Sequence, residues 1–316
     1  MSAARSVERL RAARRAPLEP YRFRLNRNRA PSLSFERDLI RKPGSDFRDH
    51  ALGVALVAAF VLAPCGASAL AADAFSTDWA RTSKSEARLI AASPDLAGFE
   101  IALAPGAITY WRDPGDAGLP PTLDFSASDN VASVEPEFPA PKRIKEADGS
   151  EAFGYESGVV FPLRVKLRDP AKPATLKLNA DFAVCEKVCL PAKAHLTLKL
   201  PSAPASPYAG AIDAALAAVP RSVPPKDFGA LEALGADGWR LCSAHEAGPA
   251  RDLFIEPPEG WWIKVAPAQA NQAQDCFALT IGQKPKDAVF PVALRLTLTG
   301  GAGPVETTIN APAAHD

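Results

Sequence analysis

The chain has 316 residues, too many for one small sandwich and about right for two domains behind a leader. Its 36 basic and 36 acidic residues cancel overall but not locally: residues 1–71 carry 13 Lys/Arg against 6 Asp/Glu, which leaves 23 against 30 for the body. An acidic body excludes nucleic acid as the natural partner, because phosphate backbones select basic surfaces.

The front of the chain reads as a targeting segment, residues 1–72. Arg41, Lys42 and Arg48 precede a stretch from Ala51 to Ala72 without a single charge. Pro64 and Gly66 break its apolar core, and Ala67-Ser68-Ala69 and Ala69-Leu70-Ala71 each fit a small-residue cleavage site. Charged, then apolar, then small is the order of a secretory signal. An uncleaved membrane anchor is the alternative, since 22 uncharged residues just reach a span. Lipidation at Cys65 is disfavoured by Pro64 before it. Residues 1–40 are Arg-rich and aperiodic, as a start called too early or a disordered extension would be. Residues beyond about 72 are expected to be exported to the periplasm.

The exported part reads as mainly β. Ser85 to Ala92 and Ala97 to Ala104 are expected strands, followed by the turn Ala104-Pro105-Gly106. Thr109 to Arg112 is the next strand, ending in the turn Asp113-Pro114-Gly115-Asp116. Pro136, Pro139 and Pro141 make an extended link, and Val159 to Leu167 is another strand. Leu176, Leu178, Ala180 and Phe182 alternate with polar neighbours, and so do Leu196, Leu198 and Leu200. Period-two alternation gives one buried and one wet face, so these two runs form a hairpin. Cys185-Glu186-Lys187-Val188-Cys189 lies between them, at a tip where side chains reach solvent.

Pro201 to Pro207 reads as a linker, and Tyr208 to Val219 as a helix with Ile212, Leu216 and Val219 on one face. A second, smaller β-domain follows, with strands at Trp239–Cys242, Leu253–Glu256, Cys276–Ile281 and Val289–Leu298. The domains are expected at 73–203 and 204–316.

Four cysteines remain once the leader is set aside, an even number suited to an oxidising compartment. Pairing within each domain gives Cys185–Cys189 and Cys242–Cys276. Closing the 35-residue loop from Cys242 to Cys276 is worth about 4 kcal/mol, and closing the five-residue loop from Cys185 to Cys189 about 2 kcal/mol. The long-loop pair is therefore expected to be structural. The short one is open to redox work or to service as a small clip, because exposed or strained bridges are the labile ones. Lys187 and Lys193 favour a thiolate there, and Glu186 opposes it.

Thr109-Tyr110-Trp111-Arg112-Asp113-Pro114-Gly115-Asp116, Phe138 to Arg143, Phe153-Gly154-Tyr155, Val159 to Pro162 and Phe182 to Ala192 together resemble the amino-terminal periplasmic domain of the DsbD/ScsB family of thiol:disulfide interchange proteins. The likeness runs from about Ser76 to Leu200 and continues more weakly at Asp252 to Glu256 and Glu259 to Trp261. It implies an immunoglobulin-like antiparallel β-sandwich that passes reducing equivalents to or from periplasmic thiol/disulfide proteins, without a bound cofactor. Carried over, Cys189 attacks a partner disulfide and Cys185 resolves the mixed disulfide. The family's aromatic cap over the pair falls on the segment 149–158, making Phe153 or Tyr155 the cap candidate, with core packing as the alternative for both. The best-known members space the cysteines by five residues; the spacing of three here resembles the ScsB-like branch. Neither a multi-helix membrane domain nor a thioredoxin domain follows, so a separate membrane-embedded reductant is expected.

Two other functions fit parts of the pattern. Cys185, Cys189 and His195 are an alternative Cu(I) set, since two thiolates and an imidazole suit a soft ion, although His195 lies on the polar face of its strand. A non-catalytic binding module with both bridges structural is the other, because sandwiches host many functions. No Gly-x-Ser-x-Gly, His-Glu-x-x-His or phosphate-cradling glycine loop is present.

Overall fold

The computed structural model describes residues 74–116, 118–146, 149–201, 206–235, 237–246, 250–266 and 274–313. The expected targeting segment, with its expected cleavage sites and Cys65, lies outside the described residues. Eleven strands build the first sandwich: β1 (Ala80–Arg81), β2 (Ser85–Ser93), β3 (Leu96–Leu103), β4 (Ile108–Gly115), β5 (Thr122–Asp124), β6 (Val131–Pro136), β7 (Lys142–Lys145), β8 (Glu151–Tyr155), β9 (Val159–Leu167), β10 (Thr175–Cys185) and β11 (Cys189–Lys199). One sheet has the order β1-β2-β3-β9-β6, and the other β11-β10-β4-β8-β7 with β5 on β10. All pairings in these two sheets are antiparallel.

The expected hairpin is β10–β11, and it pairs without a shift from Thr175↔Lys199 to Cys185↔Cys189. Its alternation has the expected consequence: Leu176, Leu178, Ala180 and Phe182 are buried, as are Ala192, Ala194, Leu196 and Leu198. These side chains meet Leu89, Phe99, Trp111, Phe161 and Leu163 in one core. Removing such apolar surface from water is the main drive for closing the two sheets on each other.

After the first sandwich comes α1 (Ala209–Ala217). Ile212 is fully buried against Ile90 and Ala92, with Leu216 and Tyr208 packed beside it. The helix expected to open the second domain therefore lies on the first sandwich, because its apolar face matches the outer side of β2 and β9. Val219, expected on that face, lies beyond the helix end.

The second sandwich comprises β12 (Arg221–Ser222), α2 (Pro225–Phe228), β13 (Gly229–Ala233), β14 (Gly238–Glu246), β15 (Asp252–Glu256), β16 (Trp262–Val265), β17 (Gln274–Gln283), β18 (Val292–Thr299) and β19 (Val305–Ala311). Its sheets run β12-β19-β18-β15 and β13-β14-β17-β16, with one parallel pairing, β12 on β19. Trp239, Leu241, Phe277, Leu279, Leu294 and Leu296 fill the space between them.

The two sandwiches meet along β4 and β15. Phe254 of β15 belongs to the first core, edge-on to Trp111 at 5.9 Å and to Phe153 at 4.9 Å between ring centroids. Ion pairs flank it. Arg112 donates to both carboxylate oxygens of Glu256, at 2.9 and 2.7 Å, and to Glu306 at 2.8 Å. Arg143 grips Asp252 at 2.9 and 3.0 Å and the Leu253 carbonyl at 3.0 Å. Burial works against the charge of each guanidinium, but the facing carboxylates outweigh it and hold both above their usual pKa.

Candidate functional site

Cys185 and Cys189 are joined as a disulfide across the last pair of the β10–β11 ladder, with their Cα atoms 4.1 Å apart. The tip does not expose them equally. Cys189 is exposed, whereas Cys185 is only 3% exposed, closed in a small cluster with Ile108, Tyr110, Ala152 and Ala183. The expectation that both sulfurs reach solvent therefore fails for Cys185. Its strand is paired on both sides, with Cys189 on one flank and Ile108 of β4 on the other.

Tyr110 is the residue that sequence reasoning missed at the site. Its hydroxyl donates to Cys185 Sγ at 2.7 Å and lies 3.4 Å from Cys189 Sγ. Burial, and then the charge of Glu146, push its pKa above the ordinary tyrosine value, so the group stays an O–H donor through the neutral range. The ring is covered by the turn after β4. A Cβ on Gly118 would come within 2.2 Å of it, and Gly118 has φ +108°, a conformation suited to glycine. The expected turn at Asp113–Asp116 is instead the irregular end of β4, where Asp113 Oδ1 accepts the Gly115 N–H at 3.0 Å. The second sandwich reaches this turn: the Trp262 indole donates to Asp116 Oδ1 at 3.1 Å. The one sequence cue for Tyr110 was a hydroxyl-bearing aromatic in a short strand that occurs in the family likeness.

The charges around the pair are now placed. Glu186 is tied to Lys84 at 2.7 Å, and Lys84, followed by Lys187, holds its carboxyl below the usual range. Its opposition to a thiolate is thereby offset, and Lys187 is exposed on the same turn. Lys193 pairs with Asp181 across the ladder at 2.6 Å and, four residues along β11, is about 13 Å from Cys189. Val188 and Leu190 flank Cys189 and are 68% and 39% exposed. They leave an apolar rim beside the accessible sulfur of the pair.

Neither cap candidate is brought to the disulfide. Ala152 of β8 faces the Cys185 cluster; Phe153 and Tyr155, at the alternate positions, face the other way. Phe153 packs on Phe254 at the junction of the sandwiches. Tyr155 is buried against Phe161 and donates to the Pro139 carbonyl at 2.7 Å. Both take the packing role, and Tyr110 occupies the place beside the sulfurs.

The alternative copper set is not assembled either. His195 lies six residues beyond Cys189 on one strand, about 20 Å away, and its Nδ1 is 2.8 Å from Asn179 Oδ1. Among the described residues no group of three or more His, Cys, Asp or Glu is arranged to hold a metal ion. Cys242 and Cys276 also form a disulfide, between register partners of β14 and β17.

Replacing Tyr110 by Phe isolates its hydroxyl. Donation to a thiolate favours the charged form, so its loss leaves less of Cys185 as thiolate at neutral pH. Attack by Cys185 on a mixed disulfide is then expected to slow only about threefold at pH 7, because a more basic thiolate is also the better nucleophile. The slowing should disappear at alkaline pH, where both chains are fully thiolate. Stopped-flow rates against pH measure this, and parallel profiles without convergence would count against the donor role.

Residues 80–201 match the family Thiol:disulfide interchange protein DsbD, N-terminal. No curated protein matches the chain. Among solved structures, the N-terminal periplasmic domain of ScsB from Proteus mirabilis superposes with a TM-score of 0.62 at 19% identity, over 76% of this chain and 100% of that one. The shared architecture thus spans both sandwiches. A conserved domain protein from Bacillus anthracis also aligns, at 9% identity over 74% of this chain and 82% of that one, but with a TM-score of 0.18 it carries no argument.

Proposed function

Because residues 80–201 form a domain of the DsbD N-terminal family of thiol:disulfide interchange proteins, we propose that Cys185–Cys189 is a reversible couple that passes reducing equivalents to partner proteins. One observation carries this: an exposed sulfur, Cys189, is bonded to a buried one, Cys185, that a tyrosine hydroxyl already touches. In the reduced form, Cys189 thiolate attacks a partner's disulfide, displacing one partner sulfur as thiolate and leaving a mixed disulfide. Cys185 thiolate then attacks Cys189 Sγ, closes the internal bridge and releases the second partner thiolate. Two electrons leave the pair, and the two thiol protons go to the partner's sulfurs. The Tyr110 hydroxyl stabilises negative charge on Cys185 before this second attack.

The partners are periplasmic proteins with thiols or disulfides, and a separate membrane-embedded dithiol restores the reduced pair. Periplasmic placement is supported by the charged-apolar-small order of the leader and by the described location of the ScsB domain. Among the described residues no helix is long and apolar enough to cross a membrane.

The deciding measurement is the reduction potential of Cys185–Cys189 in the mature protein, by equilibration in thiol buffers and mass-tagging of free thiols. A value above roughly −300 mV is expected for a labile exchange pair. A value well below it would make the bridge a clip and the protein a binding module.

A further inference from the structure

The second disulfide does not sit where a core staple would. Along β14 the side chains of Trp239 and Leu241 enter the second core, and along β17 those of Phe277 and Leu279 do. Cys242 and Cys276 are at the alternate positions, on the outer face of the sheet, and both are partly exposed. Neither sulfur belongs to the core cluster. The neighbours on that face are small. Ala230 pairs with Cys242 across β13 and is exposed, Ala244 follows on β14 and is exposed, and Ala278 is two residues along β17. Exposed Arg240 lies two residues before Cys242 on the same face, paired with Glu232 at 2.7 Å. The bridge is thus open to attack from solvent on the outer face of the sheet.

The ladder around it does not need the bridge. Gly238↔Thr280, Trp239↔Leu279, Arg240↔Ala278 and Leu241↔Phe277 lead up to Cys242↔Cys276, and the register breaks just beyond. The bridge caps the regular ladder at an irregularity, as Cys185–Cys189 caps the β10–β11 ladder, and the Cα separation is 4.1 Å in both. Opening it leaves the strands held by the preceding pairs and by the core behind them. In the chain-entropy picture the loop-closure contribution acts on the unfolded chain rather than on the folded sheet.

We propose that Cys242–Cys276 is a second thiol–disulfide exchange site, taking an electron pair from a protein carrying a vicinal dithiol. The donor's thiolate attacks one sulfur of the bridge, forming a mixed disulfide and expelling the other sulfur as thiolate. The donor's second thiolate attacks the mixed disulfide, closing the donor's own disulfide and freeing the second cysteine. The pair gains two electrons and the two protons that the donor's thiols gave up. The site stands on its own geometry and does not require that Cys185–Cys189 be active.

The test uses the full exported chain and dithiothreitol as the dithiol. Reaction is quenched with acid at intervals, free thiols are alkylated, and each cysteine is scored by peptide mass spectrometry, with far-UV circular dichroism recorded alongside. Cys242 and Cys276 are expected to open within about tenfold of the rate for Cys185–Cys189, with an unchanged spectrum and no acceleration in sub-denaturing urea. The same opening is expected in the Cys185→Ser/Cys189→Ser chain. Opening that occurs only as urea unfolds the protein would overturn the proposal. Opening of Cys242–Cys276 with Cys185–Cys189 inert would uphold it while removing the first site's function.

Discussion

The Cys185→Ser chain is expected to accumulate as a stable mixed disulfide with its partner through Cys189, whereas Cys189→Ser traps no partner at this pair. Thiol–disulfide exchange needs approach to the sulfur being attacked or attacking. Cys185, at 3% exposure beneath Tyr110 and Ile108, offers no such approach, while Cys189 stands open at the start of β11. Removing Cys185 removes the group placed to cleave the mixed disulfide, so the intermediate persists. Folding does not confuse the comparison, because losing a five-residue loop closure costs about 2 kcal/mol at most, and both serine variants lose it equally. Non-reducing gels with a disulfide-bearing peptide, followed by peptide mapping, give the answer. Equal trapping by the two variants, with the partner mapped to Cys185 in Cys189→Ser, would sink the assigned roles.

Much of the first sandwich was legible because its strands obey a local rule. The alternation of Leu176, Leu178, Ala180 and Phe182 with polar neighbours placed β10 and its buried face without tertiary information. Short strands such as β6, β7 and β8 escaped. Their sequences, Val131–Pro136, Lys142–Lys145 and Glu151–Tyr155, carry Pro, Gly or charge, and only neighbouring strands make them regular. The cysteine pair was visible by spacing, but not its asymmetry, which depends on β4 pairing with β10. Tyr110 and Cys185 are 75 positions apart, and no local pattern joins them. The cap candidates failed for a period-two reason. A strand offers alternate faces, and β8 gives the site its small residue, Ala152, while Phe153 and Tyr155 take the other side. The likeness at Asp252 to Glu256 had no local meaning either. It is the strand whose Phe254, Asp252 and Glu256 dock on the first sandwich.

Arg112→Ala is expected to destabilise the protein by about 3 kcal/mol, the lower end for breaking a buried ion pair by removing one partner. Arg112 joins Glu256 and Glu306, and the three side chains are only 16%, 20% and 17% exposed. Without the guanidinium, two carboxylates face each other at the junction with Arg295 as their remaining partner, 2.9 Å from Glu306 and 3.6 Å from Glu256. The guanidinium also lies 4.3 Å over the Trp111 ring, so packing is lost along with charge. A loss of that size lowers Tm by roughly 6–12 °C for a folded unit of this length. Glu256→Gln should cost less, because Arg112 keeps Glu306 and the amide oxygen can still accept a hydrogen bond. Thermal melts of both variants decide this: if Arg112→Ala melts with the parent chain, the junction is not held by this cluster. The substitution also separates stability from chemistry. Arg112 is two residues from Tyr110 on β4, and Trp262 of the second sandwich holds Asp116 at the turn that covers the tyrosine ring. If the junction only adds stability, exchange rates well below the melting range should match the parent. A fall in those rates would mean that the second sandwich sets the position of the hydroxyl beside Cys185.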